Sequence, residues 1–96
     1  MLKIHKQQQA EQDLIEIWMY SCGNWGANQA DNYLDHLDEA FKNIAANPEI
    51  GVNIDYIRSG YLKYSVKEYI IFYTIQKSTI HIVRVLGNEM DYIQHL

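Results

Sequence analysis

The sequence predicts a single α+β domain over residues 1–96: an N-terminal strand, then an antiparallel helical hairpin packed on a mainly antiparallel sheet formed with three C-terminal strands. Three observations carry this. Apolar residues in the first half recur at helical spacing, and those in the second half crowd into short β-branched and aromatic runs. A chain of 96 residues supplies one modest core and has no length for a second.

The opening LKIH alternates, so Leu2 and Ile4 face one way, as in a strand. From Gln7 to about Cys22 the period changes. Ala10, Leu14, Ile17, Trp18 and Ser21 share one helical stripe, leaving Glu11, Gln12, Asp13 and Glu16 for solvent, with the early acids suited to a helix N-terminus. CGNWG has the glycines and asparagine of a reversal between helices. A second helix is expected over Ala27–Ala46, where Ala30, Leu34, Leu37, Phe41 and Ile44 advance by three or four residues and Asp31, Asp35, Asp38 and Glu39 take the opposite side. Pro48 ends it, because proline cannot continue the hydrogen-bond ladder and pushes Asn47 out of helical geometry.

Val52 to Tyr61 reads as a connection or short irregular strand. The run YLKYSVKEYIIFYTIQKSTIHIVRVL then yields strands at about Leu62–Val66, Tyr69–Ile75 and Ile80–Leu86, with reversals near Lys67-Glu68 and Gln76-Lys77-Ser78. The last two are nearly continuous in apolar residues and are expected at the centre of the sheet. With the hairpin on one face, the other face is expected to be partly free, and NEMDYIQHL to form a last turn or short helix at its edge.

The net charge of −4 hides a division. Residues 9–55 hold nine acids against Lys42 alone, whereas residues 56–88 hold Arg58, Lys63, Lys67, Lys77 and Arg84 against Glu68. An acidic part discourages indiscriminate nucleic-acid binding, and a basic part suits an acidic partner. The single cysteine, Cys22, forms no internal disulfide. No early basic-then-apolar stretch resembles a secretory signal, and no apolar run reaches membrane-spanning length, so a soluble cytoplasmic protein is expected.

Chemistry-bearing motifs are sparse. The five glycines are scattered at reversals and form no phosphate-cradling loop. His5, His36, His81 and His95 form no HExxH pair or cysteine cluster, although His81 aligns near His5 if the first and last strands pair. Neither metal nor cofactor is expected. The cations Arg58, Lys63, Lys67 and Arg84, with Tyr64, Tyr69, Tyr73 and Tyr92 around them, have the chemistry to grip phosphates and stack on bases. RNA cleavage would also need a general base, and the histidines do not visibly converge. Within regular strand geometry Arg84 shares a face with Ile80, Ile82 and Leu86. A guanidinium there must pair or meet a partner, and Asp91 or Glu89, beyond the Gly87-Asn88 turn, are placed to fold back onto it.

Taken together, AEQDLIEIWMYSCGNWGANQADNYLDHLDEAFKNIAANPEIG, RSGYLKYSVKEYIIFYTI and IHIVRVLGNEMDY resemble the ParE branch of the RelE/ParE toxins of bacterial toxin–antitoxin pairs, over essentially the whole chain. The resemblance lies in Ala10, Asp13, Leu14, Ile17, Trp18 and Tyr20; in Trp25, Gly26, Ala30 and Tyr33; in Asn47, Pro48 and Gly51; in Arg58, Gly60 and Tyr73; and in Arg84, Val85, Leu86 and Asp91. It implies a helical hairpin against a sheet, a ParD-like antitoxin bound around it, and poisoning of DNA gyrase by protein binding without an active site. Target-binding or site-shaping candidates are then Arg58, Lys63, Lys67, Arg84, Asp91 and Tyr92. Antitoxin-interface candidates are Trp18, Tyr20, Trp25, Tyr33, Leu37, Tyr64 and Tyr73.

Two alternatives stay open: an inactive partner-binding member of the family, and the RelE branch, which cuts messenger RNA on the ribosome. Lys63, Lys67, Arg84 and Tyr92 only loosely echo the basic and aromatic set of that nuclease branch. Gyrase-directed members commonly carry histidine after RVL, where this chain has Gly87, a departure that argues against chemistry by a terminal histidine.

Overall fold

A computed structural model describes residues 1–96. Strand β1 (Lys3–Lys6) leads into helices α1 (Gln8–Trp25) and α2 (Ala27–Ala46). A single 3-10 turn (Pro48–Ile50) and the two-residue strand β2 (Val52–Asn53) follow, then β3 (Leu62–Val66), β4 (Tyr69–Gln76) and β5 (Thr79–Gly87), and a last 3-10 turn at Tyr92–Gln94. The strands form one sheet in the order β1-β5-β4-β3-β2, antiparallel except for β1 beside β5. This is the expected α+β arrangement, with β4 and β5 central. No helix is long and apolar enough to cross a membrane.

The reversal between the helices is tighter than CGNWG suggests. Helix α1 continues through Trp25, and Gly26 alone makes the turn at φ +90°, a conformation that disfavours any side chain. Its N–H donates to the Cys22 carbonyl at 2.9 Å and its own carbonyl accepts from Ala30 at 3.1 Å, so one residue closes both helices.

The apolar stripes of both helices meet the sheet. Leu14, Ile17, Leu37, Phe41 and Ile44 pack on Ile71, Tyr73, Ile80, Ile82 and Val85. Deep in this layer the Tyr73 hydroxyl donates to the Pro48 carbonyl at 2.7 Å and accepts the Gly51 N–H at 3.0 Å, which anchors the segment leaving α2.

The other sheet face is less open than the sequence suggests. Ile70, Phe72 and Leu86 are buried there under Ile54, Ile57 and Tyr61 of the long β2–β3 connection and under Tyr92 and Leu96 of the C-terminal turn. A chain without a third long element covers this face with two irregular segments, each contributing a few large side chains. Towards β1 the face carries His5 and His81, which the pairing of β1 with β5 brings into register, with rings edge-to-face at 5.5 Å. No group of three or more metal-ligating side chains forms anywhere.

One irregularity sets the side on which Arg84 lies. In the β4–β5 ladder Phe72 pairs with Arg84 but Tyr73 pairs with Ile82, leaving Val83 as an extra residue. Side chains paired across strands share a face. Ile80 and Ile82 therefore point at the helices, whereas Arg84 and Leu86 point to the opposite face with Phe72 and Ile70. The regular alternation that puts Arg84 beside Ile80 and Ile82 does not survive the bulge.

Candidate functional site

Strand β1 pairs with β5 only as far as Lys6 opposite Ile82, and the Gln7 N–H still reaches the Ile82 carbonyl at 3.0 Å. Beyond that point β5 has lost its parallel neighbour. Asp13, on the second turn of α1, takes the neighbour's place: its Oδ2 accepts the Val85 N–H at 3.0 Å. The same carboxylate accepts Arg84 Nε at 2.8 Å on Oδ2 and Arg84 Nη2 at 2.9 Å on Oδ1, a two-pronged ion pair. Arg84 Nη1 then donates to the His95 carbonyl at 3.0 Å.

The hydrogen bonding that Arg84 donates to Asp13 is the main reason its guanidinium holds its proton more tightly than usual; burial opposes this, and the charges of Asp13 and Glu16 reinforce it. So Arg84 does pair within the fold, but with Asp13 and not with Asp91 or Glu89. Asp91 is exposed and begins the last 3-10 turn. Asp13, assigned to the wet side of α1 by its charge, is buried. Its position was legible: three residues after Ala10 and four before Ile17, it lies on the apolar stripe.

Three further candidates gather around the same C-terminal turn. Arg58 donates through Nη2 to the Leu96 carbonyl, and Lys63 lies 3.5 Å from the Tyr92 hydroxyl and 5.2 Å from its ring centre. Tyr92 in turn packs on Phe72 with ring centres 5.1 Å apart. Lys63 and Arg84 thus fasten the turn to the sheet, and Arg58 fastens it to the β2–β3 connection. Lys67 stands apart, exposed at φ +56° in the β3–β4 turn.

The aromatic candidates divide differently. Leu37 and Tyr73 are 2% and 0% exposed, core residues that no partner reaches without unfolding; helical and strand periodicity marked them as apolar but not as interior. Trp18 is half-buried and ties the two helices together through its indole N–H, 2.9 Å from Asp31 Oδ1. Tyr64 is half-buried in a shallow groove between α2 and β3. Tyr20 and Trp25, by contrast, are 62% and 56% exposed. They begin a run of edge-to-face and tilted rings, Tyr20 to Trp25 at 6.0 Å, Trp25 to Tyr33 at 6.4 Å and Tyr33 to Tyr69 at 6.1 Å. Tyr69 was not among the interface candidates. Burial, then the neighbouring Tyr33 and Glu68, push its phenol pKa up.

Tyr20 and Tyr69 also wall a cleft of about 410 Å³ between α1 and β5, with the Asp13–Arg84 pair, Ile17, Leu86 and Met90 completing it. A second hollow continues past Gly87 to Glu68 and Glu89. Gly87 needs no special backbone geometry here, and a Cβ added to it would meet Met90 Cγ at an ordinary 3.7 Å.

Comparison with known proteins agrees with this architecture. Residues 4–92 match the family model described as the ParE toxin of the type II toxin–antitoxin system parDE. The chain is 42% identical over 88 residues to Toxin ParE1 of Mycobacterium tuberculosis, covering 91% of this chain and 90% of that one. It is 33% identical over 87 residues to Toxin ParE1 of Caulobacter vibrioides, with the same coverage of both. A solved chain of the chromosomal ParDE toxin–antitoxin system from P. aeruginosa superposes with a TM-score of 0.81 over 93% of this chain and 98% of its own; at 16% identity that likeness speaks for the fold. With its whole length accounted for by strand, helical hairpin and sheet, the chain belongs to the ParE toxins of the RelE/ParE superfamily and is the toxin of a ParDE-like toxin–antitoxin system.

Proposed function

We propose that this toxin inhibits DNA gyrase by binding it, holding a cleaved gyrase–DNA complex in a state that religates slowly, and that a ParD-like antitoxin neutralises it. The toxin acts through protein contact and not through catalysis. The observation that carries this is the commitment of Arg84: Nε, Nη1 and Nη2 each already donate within the chain. A guanidinium so occupied shapes a surface and has little left with which to stabilise a reacting phosphate. The RelE-type reading loses its central cation on the same ground, and Lys67 lies away from Lys63 and Tyr92.

Arg84 accordingly maintains the shape of the C-terminal strand and turn, while the exposed side of that turn, with Met90, Asp91 and Ile93, makes the gyrase contact. The antitoxin covers the aromatic run Tyr20–Trp25–Tyr33–Tyr69 with a segment that orders on binding, the ordering cost being offset by extended contact. Purified toxin is expected to inhibit gyrase supercoiling and accumulate cleaved DNA. Normal gyrase turnover at saturating, folded toxin would refute the proposal, and toxin-dependent cuts in messenger RNA on programmed ribosomes would put the nuclease reading in its place.

A further inference from the structure

The cleft beside Arg84 carries the opposite sign from the one expected of a basic cluster. Asp13, Glu16, Glu68 and Glu89 line it and its continuation, and the one cation among its walls, Arg84, is already bonded to Asp13. The chain's only other ion pair joins Lys42 to Asp38 on α2, so Glu16, Glu68 and Glu89 make no direct ion pair at the rim, although Arg84 feels the charge of Glu16. The walls between them are the rings of Tyr20 and Tyr69 and the side chains of Ile17, Leu86 and Met90.

Carboxylates at the rim and tyrosine side chains in the walls make a receptor for a cation on an apolar stem. A planar guanidinium fits better than an ammonium, because it stacks on a phenol ring while directing several N–H groups outwards to separate carboxylates. Tyr69 is a neutral phenol, as any tyrosine is near neutral pH, and its ring can attract a cation.

We infer that the cleft receives an arginine side chain of the antitoxin, flanked in its segment by apolar residues. This rests on the antitoxin reading above and deepens it. The cleft is continuous with the aromatic run assigned to the antitoxin, since Tyr20 and Tyr69 belong to both. Charge complementarity points the same way: a chain of net charge −4, with its rim carboxylates free, favours a basic anchor over an acidic one. A segment seated there also covers Met90, which links occupation of the cleft to occlusion of the C-terminal turn.

The test is a titration of the isotopically labelled, full-length chain with the capped peptide acetyl-Leu-Arg-Leu-amide, read by amide NMR shifts. Saturable shifts are expected around Tyr20, Tyr69, Gly87 and Met90, with much weaker ones from the glutamine and glutamate versions of the peptide. The triple variant E16Q/E68Q/E89Q, altered only at exposed positions, should bind the arginine peptide about tenfold more weakly, because exposed charge pairs are individually weak. High salt should weaken binding to the native chain more than to the triple variant. The inference fails if the glutamate peptide binds as well as the arginine one, if no saturable shift occurs, or if the shifts map to Ile54, Tyr61 and Leu96. Antitoxin neutralisation, measured separately by recovery of gyrase supercoiling, distinguishes the two failures. Neutralisation without peptide binding overturns the arginine anchor alone, whereas peptide binding without neutralisation overturns the antitoxin reading.

Discussion

Asp13 and Arg84, 71 residues apart, join the second turn of α1 to the far end of β5 through two parallel hydrogen bonds of 2.8 and 2.9 Å. The third bond, from the Val85 N–H to Asp13 Oδ2, makes the carboxylate a substitute for the strand that β1 is too short to supply. Removing either partner leaves a mostly buried group without its counterpart. Asp13→Ala and Arg84→Ala are each expected to lower unfolding free energy by about 3 kcal/mol, and the double variant by clearly less than their sum. Arg84→Lys should fall between, keeping the charge but losing the planar fork. Asp91→Ala should change stability by less than about 0.5 kcal/mol. Urea denaturation of the set decides: equal losses from Asp91→Ala and Asp13→Ala would overturn the assignment of the pair.

Two tyrosines predict an alkaline limit. Burial is the main cause that pushes Tyr73 up from the ordinary value of 10.0, and burial followed by Tyr33 does the same for Tyr69. For each, the folded state holds the phenolic proton more tightly than the unfolded chain. Their contribution is thus complete below pH 10 and declines as pH rises through the folded pKa. Chemical denaturation on either side of pH 10 should show this fall, and Tyr69→Phe should make it shallower. An unchanged slope in that variant would mean that the group does not sense its surroundings as argued.

Gly51 is expected to be intolerant for a steric reason. A Cβ there would strike the Tyr73 hydroxyl and lie 2.9 Å from the Lys63 carbonyl, and neither the buried ring nor the β3 backbone can easily yield. Gly51→Ala should therefore destabilise by about 1–3 kcal/mol, as overpacking does. Tyr73→Phe should relieve part of that clash while itself leaving the Gly51 N–H without its acceptor. A thermal melt of Gly51→Ala indistinguishable from the native chain would remove this account.

Periodicity made the elements legible: both helices and all three C-terminal strands follow from residue spacing, whereas the alignment of His5 with His81 was conditional on a pairing of the first and last strands that the structure supplies. The bulge at Val83 was not legible, because it depends on the fit between two strands, and nothing in IHIVRVL marks an extra residue. That one residue reverses the side of the sheet on which Arg84 lies. Charge misled at Asp13, where the position on the stripe was the better guide than the carboxylate. Burial depth misled at Leu37 and Tyr73, since an apolar side chain at the right spacing serves an interface or a core equally until the layers are stacked. The acidity of the cleft was hidden because Glu16, Glu68 and Glu89 come together only where α1 approaches the β3–β4 turn and the turn after β5.

Gly87 offers a test that separates fold from function. It lies in the cleft wall, its backbone is compatible with any side chain, and an added Cβ makes only an ordinary contact with Met90. Gly87→His should fold with stability within about 0.5 kcal/mol of the native chain, helped slightly by the lower entropy of the unfolded variant. The imidazole would stand between the cleft and the C-terminal turn, so gyrase inhibition is expected to change while the melting temperature does not. If the variant loses stability, the space at Gly87 is smaller than the geometry allows. If it folds normally and inhibits gyrase with unaltered potency, the contact lies away from Gly87, and the proposed role of the adjoining Met90–Ile93 surface falls with it.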